Sequence, residues 1–320
     1  MTNTLIKDTY ALATPAGRLP GTQGHQNAIN YIQSRFAQIG LGYYGGTEGY
    51  RHSYRLAQPL PDRNATHGHN LVGVVAGEDR SLDPIVIGAH FDSAIDSYSA
   101  DDNATAVAAM LHVARRLVDT PLQRDVVICS FDLEEPPAFH SPSMGSTRLY
   151  EDHMHNDAPH LAIIMDLIGH PSPFPGVHPH LTAVTGIESH PNLGNILHST
   201  DLPIIAVQNK RVGDMSDHHI FRMNKHPYLF LSSGEWADYH TDGDTPDKID
   251  YEKVAAVAAE VERMARAADT LTLGDSQHHD IRALELATAM EHLGTDLVEA
   301  LGGTPDKIVP TMRQMMRTAA

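Results

Sequence analysis

Six apolar runs of five to seven residues, rich in Val, Ile and Leu, recur along the chain at residues 70–76, 84–89, 125–131, 161–167, 202–208 and 228–232. Near-continuous apolar runs of this length fit strands covered on both faces of a sheet. Helical spacing fills the intervals. Ala28, Ile29, Ile32, Phe36 and Ile39 recur on one face, and Gly40 ends the pattern. Ala104, Val107, Ala108, Leu111, Ala114 and Val118 form a second face between the second and third runs, and a long helix covers about residues 251–270. Strands alternating with helices predict an α/β domain with a largely parallel sheet over residues 1–270. Beyond residues 271–277 the pattern turns purely helical, at 279–301 and 305–316, with Gly302, Gly303, Thr304 and Pro305 as the turn between. Residues 271–320 therefore read as a helical hairpin tail. It packs either on its own domain or on a second copy of the chain, as a homo-oligomer.

Composition removes several classes of function. The 320 residues are 41% hydrophobic, as in an ordinary folded chain. Lys and Arg number 23 against 40 Asp and Glu, a formal net charge of −17 with no basic stripe to offset it. That disfavours nucleic acid and an anionic membrane surface as partners. No run approaches the roughly 18 apolar residues of a membrane span. The first twenty residues carry no continuous apolar segment of a secretory signal, so the expectation is a cytoplasmic enzyme. The single cysteine, Cys129, excludes an intrachain disulfide and a thiolate-rich zinc site. It lies in the run 125–131 and reads as a buried thiol. A Gly-x-Ser-x-Gly elbow is absent, which argues against a serine hydrolase.

With 22 histidines in the chain, position has to separate the few with chemistry from the many without. Ligands collect at the carboxyl ends of strands in open α/β sheets. The second run ends in His90, followed by Asp92, a carboxylate placed to orient the imidazole through its other ring nitrogen. Asp101, Asp102 and Asn103 then lead straight into a helix. One capping residue accounts for one of these polar groups, and a second carboxylate could bridge two cations. After the third run come Glu134 and Glu135. Adjacent residues at a strand end point in different directions, so one can ligate while the other faces the substrate as general base. Asp166 follows the fourth run, and Tyr239 and His240 precede the polar loop that holds Asp244. Two imidazoles and three carboxylates with no thiolate suit a pair of zinc ions sharing one carboxylate, whereas magnesium is rarely held through imidazole.

These stretches resemble the co-catalytic di-zinc aminopeptidases, metallopeptidase family twenty-eight, which also contains glutaminyl cyclases and carboxypeptidase-like members. The likeness is carried, in order, by Gly88 to Ser93, Ala100 to Thr105, Glu134 and Glu135 with Gly145 and Ser146, Met165 to Gly169, Ser216 to His218 with Phe221, and Tyr239 and His240 with Asp244. Gly17, Arg18 and Pro20 to Thr22 fit the family's N-terminal segment. The resemblance implies a three-layer α/β/α fold with a mixed sheet of about eight strands. It implies two zinc ions per chain, with His90 and Asp166 on one, Glu135 and His240 on the other, and Asp102 bridging, Asp101 being the rival for that place. Glu134 would be the general base and Asp92 the orienter of His90. The substrate would be a peptide with a free amino terminus. A glutaminyl cyclase of the same fold would need only one zinc, which the full ligand set argues against. A carboxypeptidase would need a basic grip, for which Arg148, Lys210 and Arg211 are available. A binding protein that has lost its metals would show broken ligand positions. Two features depart from the family pattern: the long loop Pro136–Met144 after the glutamates, placed to shape the substrate pocket, and the C-terminal helices. Asp217 and His218 read as capping and packing residues rather than ligands.

Overall fold

The computed structural model describes residues 2–60, 65–155, 158–197 and 201–318. Within them the apolar runs become the centre of one sheet. Its strands are β1 (Gly42–Tyr43), β2 (Arg51–Arg55), β3 (His67–Val75), β4 (Ile85–His90), β5 (Val126–Phe131), β6 (Leu161–Met165), β7 (Thr182–Thr185), β8 (Ile204–Ala206) and β9 (Tyr228–Ser232). The order across the sheet is β1-β3-β5-β4-β6-β9-β7-β8, with β2 also paired to β3. Strands β5, β4, β6 and β9 run parallel, and β7 runs parallel to β8. The flanks reverse direction: β1, β2 and β5 are antiparallel to β3, and β7 is antiparallel to β9. The sheet is thus parallel at its heart and mixed overall. Every residue of β4, β5 and β6 is buried, as continuous apolar strands require.

The helices are α1 (Thr2–Leu12), α2 (Gln23–Ile39), α3 (Thr105–Asp119), α4 (Gly145–Leu149), α5 (Asn209–Val212), α6 (His218–Met223), α7 (Tyr251–Asp269), α8 (Arg282–Leu293), α9 (Thr295–Ala300) and α10 (Pro305–Thr318). Helices α1, α2, α3 and α7 cover one face, burying Leu5, Ile32, Phe36, Leu111 and Val257 against the strands. Leu149, Tyr150 and Phe221 cover the other, against Val72, Val86 and Ile164. Helix α2 starts where the Thr22 hydroxyl accepts from the His25 amide. It stops at Gly40, whose φ of 90° suits glycine.

Three short strands escape the apolar pattern. Strand β2 alternates buried and exposed residues at an edge, β1 is two residues long, and β7 is only four. The described sheet therefore has nine strands, in keeping with the expected mixed sheet of about eight. The tail is three helices, not a hairpin, because Gly294 at φ 80° separates α8 from α9. The tail packs on its own domain: α8 lies on β8, and α10 lies on α5 and α8. Val298 and Ile308 join Ile205 and Val207 in a separate apolar cluster. No helix among the described residues is long and apolar enough to cross a membrane.

Candidate metal centre

Strands β4, β5 and β6 are parallel, so their carboxyl ends open on one rim. His90 closes β4, Glu134 and Glu135 follow β5, and Asp166 follows β6. Asp102 reaches the rim from a wide helical turn, Ala100–Ala104, that leads into α3. His240 reaches it from the loop between β9 and α7. The Asp102 carboxylate sits between the two imidazoles: Oδ1 is 3.2 Å from His90 Nε2, and Oδ2 is 3.0 Å from His240 Nε2. Asp166 Oδ1 is 3.5 Å and Glu134 Oε2 3.9 Å from His90 Nε2. Glu135 lies 3.2 Å from His240 Nε2. The donor atoms fall into three groups, each within 4.8 Å: His90, Asp102 and Asp166; His90, Glu134 and Glu135; Asp102, Glu135 and His240.

All these residues are buried except His240, whose side chain is 28% exposed. Four buried carboxylates so close together repel one another. Burial lifts the Glu134 carboxyl well above its usual range; His90 opposes this, and Glu135 and Asp166 add to it. Burial and then Asp102 push Glu135 up to about 8. Asp166 is raised by burial, with His90 opposing and Asp102 adding. Burial alone would raise Asp102 as well, but His240 and His90 outweigh it and hold the group low. His240 is pushed up to about 10: burial opposes, and Asp102 and Glu135 prevail. The two imidazoles supply too little positive charge for this cluster.

The unmet valences point the same way. Both ring nitrogens of His90 and Oδ1 of Asp166 are buried without a hydrogen-bond partner among the described residues. They approach acids and imidazoles without hydrogen-bond geometry, as donor atoms do when they are aimed at a shared cation. Imidazole and carboxylate with no thiolate, at these separations, fit zinc.

The surroundings fix the donors. Asp92 accepts from the amides of both Glu134 and Glu135, at 3.1 Å each, and lies 3.4 Å from His90 Nδ1. One carboxylate therefore holds three donors of the cluster in register. Asp101 turns away from the rim. It accepts from the Gly169 amide and pairs with His170 Nδ1 at 2.6 Å, which leaves the shared position to Asp102. Leu133, Leu167 and His240 all have φ between 54° and 58°, a rare conformation for side-chain-bearing residues that clusters at functional sites.

Several supports have little sequence signal. Asp244 accepts from the amides of Asp101 and Asp102, at 2.8 and 3.0 Å, and so aims the Asp102 turn. The Arg18 guanidinium is wholly buried and donates to the carbonyls of Leu12, Phe91, Tyr98, Ser99 and Asp102. Gly17, Arg18 and Asp244 belong to the quoted motifs, but nothing in one sequence reveals that their work is to hold backbone. Asp217 corrects an expectation: its side chain makes no cap bond at the start of α6. It is wholly buried, and burial pushes its carboxyl up to about 7, with His90 and Ser146 opposing. His218 does pack, stacking on Phe230 and bonding Asn209 at 3.0 Å. Arg148 is engaged by Glu151 and Asp152, and Arg211 by Glu285 and Asp306, so neither is set to grip a substrate carboxylate.

A cavity of about 250 Å³ opens beside the cluster. Asp102, Glu134, Glu135, Asp166 and His240 stand at its polar end, and Tyr239 and Phe139 line it further out. Tyr239 stacks on His240 with ring centres 3.8 Å apart. Pro136 and Phe139 bring the long loop after the glutamates to the cavity wall.

Known proteins share this arrangement of elements. The LapA aminopeptidase of Legionella pneumophila superposes over 85% of this chain and 72% of its own, with a TM-score of 0.66 at 17% identity. A glutaminyl cyclase of Bacteroides thetaiotaomicron bound to N-acetylhistamine superposes over 83% of this chain and 97% of its own, with a TM-score of 0.64 at 16% identity. At such identities the likeness is one of fold. In sequence, the chain is 30% identical over 207 residues to the Escherichia coli protein YfbL, covering 54% of this chain and 63% of YfbL. The chain thus spans somewhat less than two thirds of that relative's length. The model of peptidase family M28 matches residues 70–265, a stretch that holds every donor from His90 to His240; the chain belongs to peptidase family M28.

Proposed function

We propose that the chain is a zinc-dependent aminopeptidase that removes residues from the free amino terminus of peptides, with two zinc ions per chain. The observation that carries this reading is the Asp102 carboxylate, which offers one oxygen to the His90 side and one to the His240 side. His90 and Asp166 would hold one ion and Glu135 and His240 the other, with Asp102 shared. When bound, the ions supply Lewis-acid polarisation of the scissile carbonyl and a lowered pKa for the attacking water. Glu134 stands among the donors without a hydrogen-bond donor to its own carboxylate among the described residues. It is free to take a proton from the water and return it to the leaving amine. Tyr239, whose ring stacks on His240, would donate to the oxygen that gains charge. The substrate's free amino terminus would bind next to the ions, which limits cleavage to chain ends. The LapA aminopeptidase and the family match support this reading.

A glutaminyl cyclase reading is favoured by several neighbours of similar fold. Metal analysis and a substrate panel separate the two. We expect close to two zinc ions per chain, release of product from unblocked aminoacyl amides, no release from their N-acetyl forms, and no cyclisation of an N-terminal glutamine. One ion per chain with cyclisation would replace the reading, and equal cleavage of blocked and unblocked substrates would end it.

A further inference from the structure

The cavity beside the metal donors is not closed by the family's own elements. Its far wall is α10, which lies beyond residue 265, where the family match ends. Ile308, Val309, Met312 and Met316 fall on one side of that helix and line the same cavity as Asp102 and Glu135. Phe174, Leu181 and Ile205 line it as well. These side chains belong to the apolar cluster that fastens the tail to the domain, so wall and anchor are one structure. Away from the donors, the charged groups among the described lining residues are Glu235 and Arg313, and these pair with each other at 2.9 Å.

We propose that α10 builds the side-chain pocket of the substrate, making Ile308 and Met312 specificity-determining residues that select a large apolar residue such as Leu, Met or Phe. This rests on the aminopeptidase reading of the adjoining donors. The physical case has three parts. The cavity is continuous from the catalytic cluster to α10, so a substrate held at the donors has its side chain directed into apolar space or out to solvent. A small residue would leave that space without contacts, and each missing methylene in such a pocket is worth at least about tenfold in kcat/KM. A charged residue would be desolvated with no unpaired partner to meet it. Met312 is half-buried on the wall and unbranched, so it can be replaced there by a larger or a smaller group.

The test uses the full zinc-loaded chain. The ratio of kcat/KM for leucine amide over alanine amide is measured in the wild type, in Met312→Trp and in Met312→Ala. A ratio taken within one sample cancels any general loss of active protein. Leucine carries three more carbons than alanine, so at about tenfold each we expect a wild-type ratio of about 10³. It should collapse towards one in Met312→Trp, and Met312→Ala should shift preference from leucine amide towards phenylalanine amide. The non-hydrolysable amino alcohols leucinol and alaninol, titrated by calorimetry, give the same ratio as dissociation constants without turnover. A wild-type ratio near one, or a ratio unchanged in both variants, overturns the role of α10 while leaving the aminopeptidase reading intact. Absence of hydrolysis of every unblocked amide sinks the aminopeptidase reading instead, and the role of α10 then stands or falls on the leucinol-to-alaninol ratio.

Discussion

Replacing Glu134 by Gln tests the division of labour between the paired glutamates. The two share an anchor, because their amides both donate to Asp92 at 3.1 Å, yet their carboxylates differ in company. Glu135 lies 3.2 Å from His240 Nε2 and belongs to two of the donor groups, whereas Glu134 belongs to one and lies 3.9 Å from His90 Nε2. Glutamine keeps the shape and the Asp92 anchor and removes only the basic oxygen. No protein donor to the Glu134 side chain is lost among the described residues, so metal content and KM should hold. The loss falls on kcat. A general base contributes about 10²–10⁴-fold, which corresponds to about 3–5 kcal/mol of barrier at 1.36 kcal/mol per decade. Burial and the neighbouring acids also oppose ionisation of Glu134, so the metal-free variant should melt no lower than the metal-free wild type. Glu135→Gln should behave differently and lose metal from the His240 side. The assay is kcat and KM on an unblocked amide, alongside zinc per chain. Turnover within tenfold of wild type, or loss of zinc in Glu134→Gln, would refute the assignment.

Three further outcomes follow from the supports. Asp244→Ala orphans the buried amides of Asp101 and Asp102, and zinc affinity measured by chelator competition should fall about 10–100-fold, as for other groups that orient ligands; unchanged affinity would show that the turn holds itself. Arg18→Met leaves the carbonyls of Phe91, Tyr98, Ser99 and Asp102 without their donor and should cost about 3 kcal/mol or more in urea unfolding, at about 1–3 kcal/mol per unpaired buried group; a loss below about 1 kcal/mol would mean water replaces the guanidinium. In the chelated protein, burial and Asp102 raise the Glu135 carboxyl from 4.5 to about 8, so between those values the folded chain keeps a proton that the unfolded chain has released. Stability then falls as pH rises through that window, and His240, raised from 6.5 to about 10, extends the fall upward. Melting temperature should therefore drop between about pH 6 and pH 9 in the chelated protein and far less with zinc present; parallel profiles would show that zinc does not engage these groups.

The fold is legible in the sequence where burial is two-sided. Strands β4, β5 and β6 announce themselves because a strand covered on both faces has no polar positions to break its run. Strand β2 hides for the opposite reason: Arg51, Ser53 and Arg55 face outward at an edge, and only His52 and Tyr54 are buried. The break at Gly294 is equally invisible, since the apolar residues keep helical spacing through it, while a positive φ at one glycine ends α8.

The donors are legible for a related reason. An acid or imidazole directly after a buried strand is costly without a partner, so Asp166, Glu134 and His90 stand out against their apolar neighbours. The choice between Asp101 and Asp102 is of another kind. Both are buried acids in one turn, and spacing alone cannot say which faces the rim. What decides it is long-range: Gly169 and His170, just beyond the carboxyl end of β6, capture Asp101, and the amides of both residues are pinned by Asp244 from a loop more than a hundred residues away. Arg18 likewise spends its five donors on main-chain oxygens that could belong to any residue type. A sequence records which side chains are present, but a carbonyl or amide partner leaves no mark in it. The groups that make their own chemistry can thus be read directly, whereas those that aim them become visible only once the chain is folded.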